Sequence, residues 1–327
     1  MTVLVTGATG FLGSHILEWL AVMGTRAIGV GRDAECCRAL ERAGHAVIRH
    51  DLSRPFDTTT DPRLGKVDKI IHCAALSSPF GRLQDFVAAN VTATQNLVGF
   101  AKRQGVDRFV HISSPSVCFA FRDQLGLTED AALPEPVNHY ARTKRQAETI
   151  VLGAPEIHPV VLRPRGIYGA GDRALLPRLI KAAASRPLPV FRGGRAAIDL
   201  TYVDDVVDAV IAALAAPMEA EGQIFNVSGG EMLPVRRIAD EACGRAGLKP
   251  RWRPMPLVPA MLAAGLMEAL AIRLPGRPEP PVTRYGLGLF AYAQSLDLSK
   301  TKRVLGWVPK IAFEQGLDRT FAGSGPA

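Results

Sequence analysis

"TVLVTGATGFLGSHILEWL" (residues 2–20) decides how this chain folds. A β-branched, apolar run from Thr2 to Thr6 ends in three spaced glycines, Gly7, Gly10 and Gly13. It passes at once into a pattern that reads as a helix from about Gly10 to Gly24. A turn this tight needs a residue without a Cβ, and a backbone that must approach a pyrophosphate needs another. The third glycine lets the helix pack close to the strand. The helix N-terminus then offers N–H groups to phosphates. A glycine triplet alone is a weak signal; between a strand and a helix it reads as a dinucleotide-binding turn. The spacing "TGATGFLG" has one residue more between its first two glycines than the common G-x-G-x-x-G.

The same alternation continues downstream. "RAIGV" (26–30), "AVIRH" (46–50), "KIIHCA" (69–74), "RFVHISS" (108–114), "PVVLRP" (159–164) and "QIFNVSG" (223–229) read as strands. Between them lie helical patterns at about 34–43, 83–105 and 140–152. Strict alternation implies parallel strands with right-handed crossovers. The expected fold is α/β: a Rossmann-type doubly wound parallel sheet with a smaller, discontinuous C-terminal substrate-binding region. The expected division is a dinucleotide-binding domain at 1–165, completed by about 198–229. Residues 166–197 and 230–322, where Pro and Gly become dense, form the substrate-binding region. The tail 323–327, "GSGPA", reads as disordered.

Composition narrows the class. The 327 residues are 47% hydrophobic and 21% charged, with a formal net charge of +8, an ordinary globular balance with a basic excess. No long Lys/Arg run or nucleic-acid module accompanies that charge, so a solvated basic surface and anionic small ligands account for it. Cys36, Cys37, Cys73, Cys118 and Cys243 are odd in number and match no zinc spacing, so no metal and a reducing compartment are expected. The strand pattern starts at Thr2, leaving no signal-peptide pattern, so a cytoplasmic location is expected. One stretch, "PLVPAMLAAGLMEALAI" (256–272), is apolar yet shorter than the ~20 residues of a spanning helix. It reads as a buried or amphipathic helix. A membrane-surface helix, or an apolar rim for a lipid substrate, is the sharper reading.

"YARTK" sets Tyr140 and Lys144 four apart, on one helix face. A free tyrosine ionises at a pKa of about 10. A neighbouring ammonium favours the phenolate, which would tune the hydroxyl for proton transfer.

With these motifs the chain resembles, over nearly its whole length, the extended branch of the short-chain dehydrogenase/reductase superfamily, the NAD(P)-dependent epimerase/dehydratases. The resemblance implies that Gly7, Thr9, Gly10, Phe11, Leu12 and Gly13 hold the cofactor's phosphates. It implies Asp51 and Leu52 at the adenine, and Cys73, Ala74 and Ala75 beneath the cofactor. Asn90 matches the family's helix asparagine, and equally suits a satisfied core amide. Pro164 and Ile167 fall at the nicotinamide end, and Tyr140 and Lys144 also touch the cofactor. Aligned to the family pattern S-S-x-x-V, "SSPSV" makes Ser114 the third catalytic residue beside Tyr140 and Lys144, orienting a substrate carbonyl; Ser116 is a lesser candidate. His72, His111 and His139 read as structural, and Asp204-Asp205 as a helix start.

The branch normally ends its second strand in an acidic residue that grips the adenosine ribose. Here Gly31 stands there, followed by Arg32. A carboxylate would repel a 2′-phosphate, whereas a guanidinium pairs with one through two charge-assisted hydrogen bonds. NADP(H) is therefore the expected cofactor.

Arg32 counts against sugar-nucleotide epimerases and dehydratases, and Pro115-Ser116 stand where dehydratases need an acidic pair. The C-terminal third resembles the 3β-hydroxysteroid dehydrogenase-like branch, and "CAALSSPFGRLQDFVAANV" (73–91) looks closest to 2-alkyl-3-oxoalkanoate reductases of olefin biosynthesis. That implies NADPH-dependent reduction of a long-chain 3-oxo acid, with dihydroflavonol reductase-like, steroid and epimerase activities as alternatives. A non-catalytic NADP-binding protein is opposed by the intact Ser114, Tyr140 and Lys144. Arg82, Arg165, Arg178 and Arg192 are candidates to hold a substrate carboxylate. The expected partners are an apolar small molecule bearing a ketone or carboxylate and a second copy of the chain, with no nucleic acid.

Overall fold

The computed structural model describes residues 1–274, 276 and 278–322; the tail at 323–327 lies outside the described residues. The short apolar runs become seven parallel strands: β1 (Thr2–Thr6), β2 (Arg26–Gly31), β3 (Ala46–Arg49), β4 (Lys69–His72), β5 (Arg108–Ile112), β6 (Pro159–Pro164) and β7 (Gln223–Val227). They lie in the order β7-β6-β5-β4-β1-β2-β3. β1 pairs with β2 on one side and β4 on the other, so the order reverses beside it. An open α/β sheet presents its ligand crevice at the carboxyl ends of the strands flanking such a reversal.

Helices cover both faces, as near-continuously apolar strands require. On one face α1 (Phe11–Val22) and α5 (Val203–Leu214) pack Ile16, Leu17, Val206 and Val210 against Val3, Val5 and Val110. On the other, α3 (Ala93–Gln104) and α4 (His139–Leu152) pack Leu97, Phe100 and Val151 against Leu4, Ile70 and Phe109. α2 (Ala34–Arg42) is capped by Asp33, which accepts from the Cys36 N–H at 2.8 Å. The expected helix at 83–105 is one continuous rod with a π-helical stretch, Val87–Thr92, in its middle. Such widened turns recur at functional sites.

A second sheet of four short strands joins Met232–Pro234, Ala197–Asp199, Gln294–Leu296 and Gln124–Leu127. It draws residues from four distant parts of the chain. Two further helices follow, α6 (Leu257–Ala271) and α7 (Arg284–Ala291). The apolar stretch at 256–272 is thus a helix, as expected, but neither buried nor amphipathic. Ala264 and its neighbours on one face pack against Phe191, Leu287 and Ala291, while Val258, Leu262, Leu266 and Leu270 stand exposed on the other. Among the described residues no helix is long and apolar enough to cross a membrane.

A buried ion pair ties α4 to the sheet. Arg163 on β6 donates twice to Glu148, each at 2.8 Å, and the Ser113 hydroxyl at the end of β5 donates to the same carboxylate. Fully desolvated, such a pair is a poor source of stability but a strict constraint on geometry, since losing one partner strands a charge. It sets the register of the helix that carries Tyr140 and Lys144.

Candidate active site

The glycine turn is built as its residue types demand. Gly7 has φ +69°, and a Cβ there would meet the Ala74 N at 2.7 Å and the Cys73 carbonyl carbon at 2.8 Å. The turn therefore lies directly on the end of β4. A Cβ on Gly13 would sit 2.2 Å from the Gly7 carbonyl oxygen, so only glycine lets α1 approach this closely. Gly10 is the N-cap of α1, with no side chain to cap it and no acidic residue in the first turn. The first N–H groups of α1, those of Phe11, Leu12 and Gly13, consequently have no side-chain cap among the described residues. The residues present fit an anionic dinucleotide.

At the end of β2 the structure adds what the sequence did not reveal. A Cβ on Gly31 would meet the Thr9 Cγ2 at 2.4 Å and its Oγ1 at 2.9 Å. Gly31 is thus the floor on which Thr9 rests, not merely a missing carboxylate. Arg32 beside it is exposed and forms no ion pair among the described residues. Its carbonyl accepts from Arg49 at 3.3 Å. Burial opposes ionisation of Asp51, but the Ser53 N–H and hydroxyl, Arg32 and Arg54 outweigh it and hold the acid below its usual range. Leu52 beside it is buried. The mouth of the crevice at β2 and β3 is basic.

Tyr140 enters from the start of α4, whose N-cap Asn138 accepts from the Ala141 N–H at 2.8 Å. Burial pushes its hydroxyl above the ordinary tyrosine value, and the hydroxyls of Ser77 and Ser114 against it pull the other way. Ser114 therefore lies beside the Tyr140 hydroxyl. Ser77, on the loop after β4, was not anticipated: serine is common in loops and nothing periodic marks it. Ser116 is buried, and its hydroxyl has no partner among the described residues.

Lys144 departs from its expected part. Its ammonium is buried and donates to the Ile112 carbonyl at 2.6 Å, with the His111 Nε2 at 3.2 Å. Its charge is committed to β5, so in the protein alone burial, not the lysine, governs Tyr140. Burial also lowers the lysine, against the pull of Glu148, to about 8. The sign of the pH dependence follows. Below about pH 8 Lys144 is charged in both states and the cost of burying it is paid in full. Between there and the ordinary value of 10.5 only the unfolded chain holds the proton, so stability rises with pH. Urea unfolding from about pH 7.5 to about pH 10 should show wild type gaining up to about 3 kcal/mol relative to Lys144→Met. Parallel curves would contradict this ionisation.

The remaining residues divide plainly. Cys73, Ala74 and Ala75 follow the end of β4, the first two against the glycine turn, and burial pushes the Cys73 thiol up to about 12. Asn90 sits in the π-helical stretch and spends its amide on the protein: it accepts from the Leu76 N–H at 2.7 Å and donates to the Leu76 carbonyl and Thr143. It therefore positions the Ser77 loop against α4. Pro164 ends β6, and Ile167 begins a two-residue strand that pairs with Thr201–Tyr202. His72 is held between Thr6 and Thr94 and lowered to about 3 by burial, as suits a structural histidine. All four candidate arginines are committed: Arg82 to Asp85, Arg165 to Asp199, Arg178 to Glu279 and Arg192 to Asp123. Of these, Arg82 lines a cleft of about 680 Å³ with Leu83, Val87, His139 and Ile272. The rings of Tyr285 and Phe119 pack with centroids 5.0 Å apart, and Tyr285 is near enough to Tyr140 to interact with it electrostatically.

Residues 3–228 match the NAD dependent epimerase/dehydratase family. The chain belongs to this family. Three curated proteins are similar to it along almost their whole length. YbjS of Escherichia coli, named only as an uncharacterized protein, is 31% identical, covering 98% of this chain and 97% of its own. The 2-alkyl-3-oxoalkanoate reductase of Stenotrophomonas maltophilia is 30% identical over 99% of each. The 4-hydroxy-2-methyl-3-oxo-4-farnesyl-3,4-dihydroquinoline-1-oxide ketoreductase of Stigmatella aurantiaca is 30% identical over 100% of this chain and 97% of its own. Among solved structures, UDP-glucuronic acid 4-epimerase from Bacillus cereus in complex with NAD superposes with a TM-score of 0.76 at 25% identity, covering 98% of each chain. Membership accounts for the parallel sheet and the glycine turn together. The two named reductases agree with the branch that the C-terminal third resembles.

Proposed function

We propose that this member of the family is an NADP(H)-dependent ketoreductase that converts the 3-oxo group of a long-chain 2-alkyl-3-oxo acid, or a related lipid, to a secondary alcohol. The observation that carries this reading is the setting of the Tyr140 hydroxyl. It meets the hydroxyls of Ser77 and Ser114, with Tyr285, itself packed on Phe119, close by. Two curated relatives named for reducing ketones on apolar molecules support it.

When bound, the cofactor supplies the hydride. The chain's own residues do the rest. The N–H groups opening α1 hold the phosphates, and Arg32 pairs with the 2′-phosphate. Ser114 donates a hydrogen bond to the substrate carbonyl oxygen, and Tyr140 gives that oxygen its proton as charge develops on it. Lys144 lies four residues along the same helix face, and Ser77 holds the tyrosine hydroxyl in line. Residues 166–197 and 230–322 form the substrate-binding region over the strand ends. Arg82, whose pair with Asp85 is exposed on the cleft and therefore weakly held, can exchange that partner for a substrate carboxylate.

An apolar wall rewards chain length. Each CH₂ buried contributes about 0.8 kcal/mol, so kcat/KM with NADPH should climb severalfold per added methylene until the pocket is full. The check is a series of 3-oxo acids of increasing length, with a UDP-sugar and a 3-ketosteroid as controls. Flat rates, or faster turnover of the UDP-sugar, would overturn the lipid reading.

A further inference from the structure

The large apolar side chains left in water are not scattered over this molecule. Among the described residues, eight of the fifteen that stand exposed lie between Leu248 and Leu274. Val258, Leu262, Leu266 and Leu270 follow at every fourth residue of α6, with Leu262 71% and Leu266 62% exposed, and Leu274 extends the row beyond the helix. Contiguous apolar surface on this scale marks a place where water is displaced by something else.

The charges around the row say what that something is. The segment from 248 to 284 holds six basic and two acidic residues. Both acids are already paired, Glu268 with Arg284 and Glu279 with Arg178. Lys249, Arg251 and Arg253 before the helix and Arg273 after it are exposed and make no ion pair among the described residues. With cations at both ends, any packing of α6 against its own copy, parallel or antiparallel, brings arginines together. An anionic surface attracts both ends at once.

We propose that this face seats the protein on an anionic lipid bilayer, with α6 lying in the plane of the headgroups. The helix has 15 residues, too few for the ~20 of a spanning segment. Its exposed leucines would enter the acyl boundary while the flanking cations meet lipid phosphates, each adding to the binding. Ile272, at the C-cap of α6, lines the cleft together with His139, the neighbour of Tyr140. Docking therefore brings the mouth of that cleft to the lipid surface. The inference rests on the surface itself and stands apart from the substrate assignment.

The test is flotation of the full chain with vesicles of phosphatidylcholine alone or mixed with phosphatidylglycerol. Binding to the mixed vesicles should exceed binding to the neutral ones by about tenfold or more and fall as salt is raised. Leu262→Glu/Leu266→Glu should abolish it without changing the thermal melt. Arg251→Gln/Arg253→Gln/Arg273→Gln touches no apolar contact and should remove the anionic preference, which decides the matter even if the leucine variant unfolds. No flotation, equal binding to neutral vesicles, or undiminished binding by these variants would overturn the proposal. A dimer in solution that the leucine variant splits would assign the face to a second copy instead.

Discussion

Tyr140→Phe is expected to lower kcat by about 10²–10⁴-fold, the range for removing a positioned general acid, while NADP(H) still binds. The ring stays, so the packing at the start of α4 is kept; only the hydroxyl between Ser77 and Ser114 is lost. Because the group acts on charge that develops during reduction, the loss should fall on kcat rather than on KM. Ser77→Ala provides the finer check. It removes one hydrogen bond to the phenolic oxygen, worth about 0.5–1.5 kcal/mol, and should move the basic limb of the pH–rate profile upward, because Ser77 favours the ionised form. A Tyr140→Phe enzyme with ordinary turnover would remove the hydroxyl from the chemistry.

Arg32→Ala should weaken NADP(H) by about 1.5–3 kcal/mol, the range for a hydrogen bond to a charged group, and leave NAD(H) nearly untouched. Equal losses for both would mean that Arg32 does not read the 2′-phosphate. The structure sharpens the reverse experiment. Restoring a carboxylate with Gly31→Asp drives its Cβ into Thr9, 2.4 Å from the Cγ2, so that substitution alone should impair both cofactors by displacing the turn. Thr9→Gly together with Gly31→Asp vacates that space and should recover NAD(H). Comparable NAD(H) affinity in the single and double variants, read by calorimetric titration, would show that Thr9 is no obstacle.

What could be read from the sequence was local. The glycine turn, the strands and the Tyr140–Lys144 pair each depend on residues within a few positions of one another, so spacing and periodicity expose them. Thr9 against Gly31 joins residues 22 apart across a helix and a strand, and only the packed turn reveals it. The Tyr285 and Phe119 pair brings a late helix against an early loop. Ser77 is positioned by Asn90 holding Leu76, a contact no pattern announces. The paired state of Arg82, Arg165, Arg178 and Arg192 likewise depends on partners that are near in space, three of them distant in sequence. At 256–272 the helix was legible because its residues are apolar helix formers. Its exposure was not, since a helix apolar all round is ordinarily buried; here nothing among the described residues covers Leu262 and Leu266.

The central claim is a hydride passed from NADPH to a ketone carbon, and isotope transfer tests it most directly. With NADPH deuterated at both C4 positions and a 2-alkyl-3-oxo acid as substrate, mass spectrometry should find one deuterium, bound to C3, in the 3-hydroxy product. Tyr140→Phe should form little of that product. An unlabelled product, or no product from the oxo acid while a UDP-sugar is epimerised without net consumption of NADPH, would contradict the account.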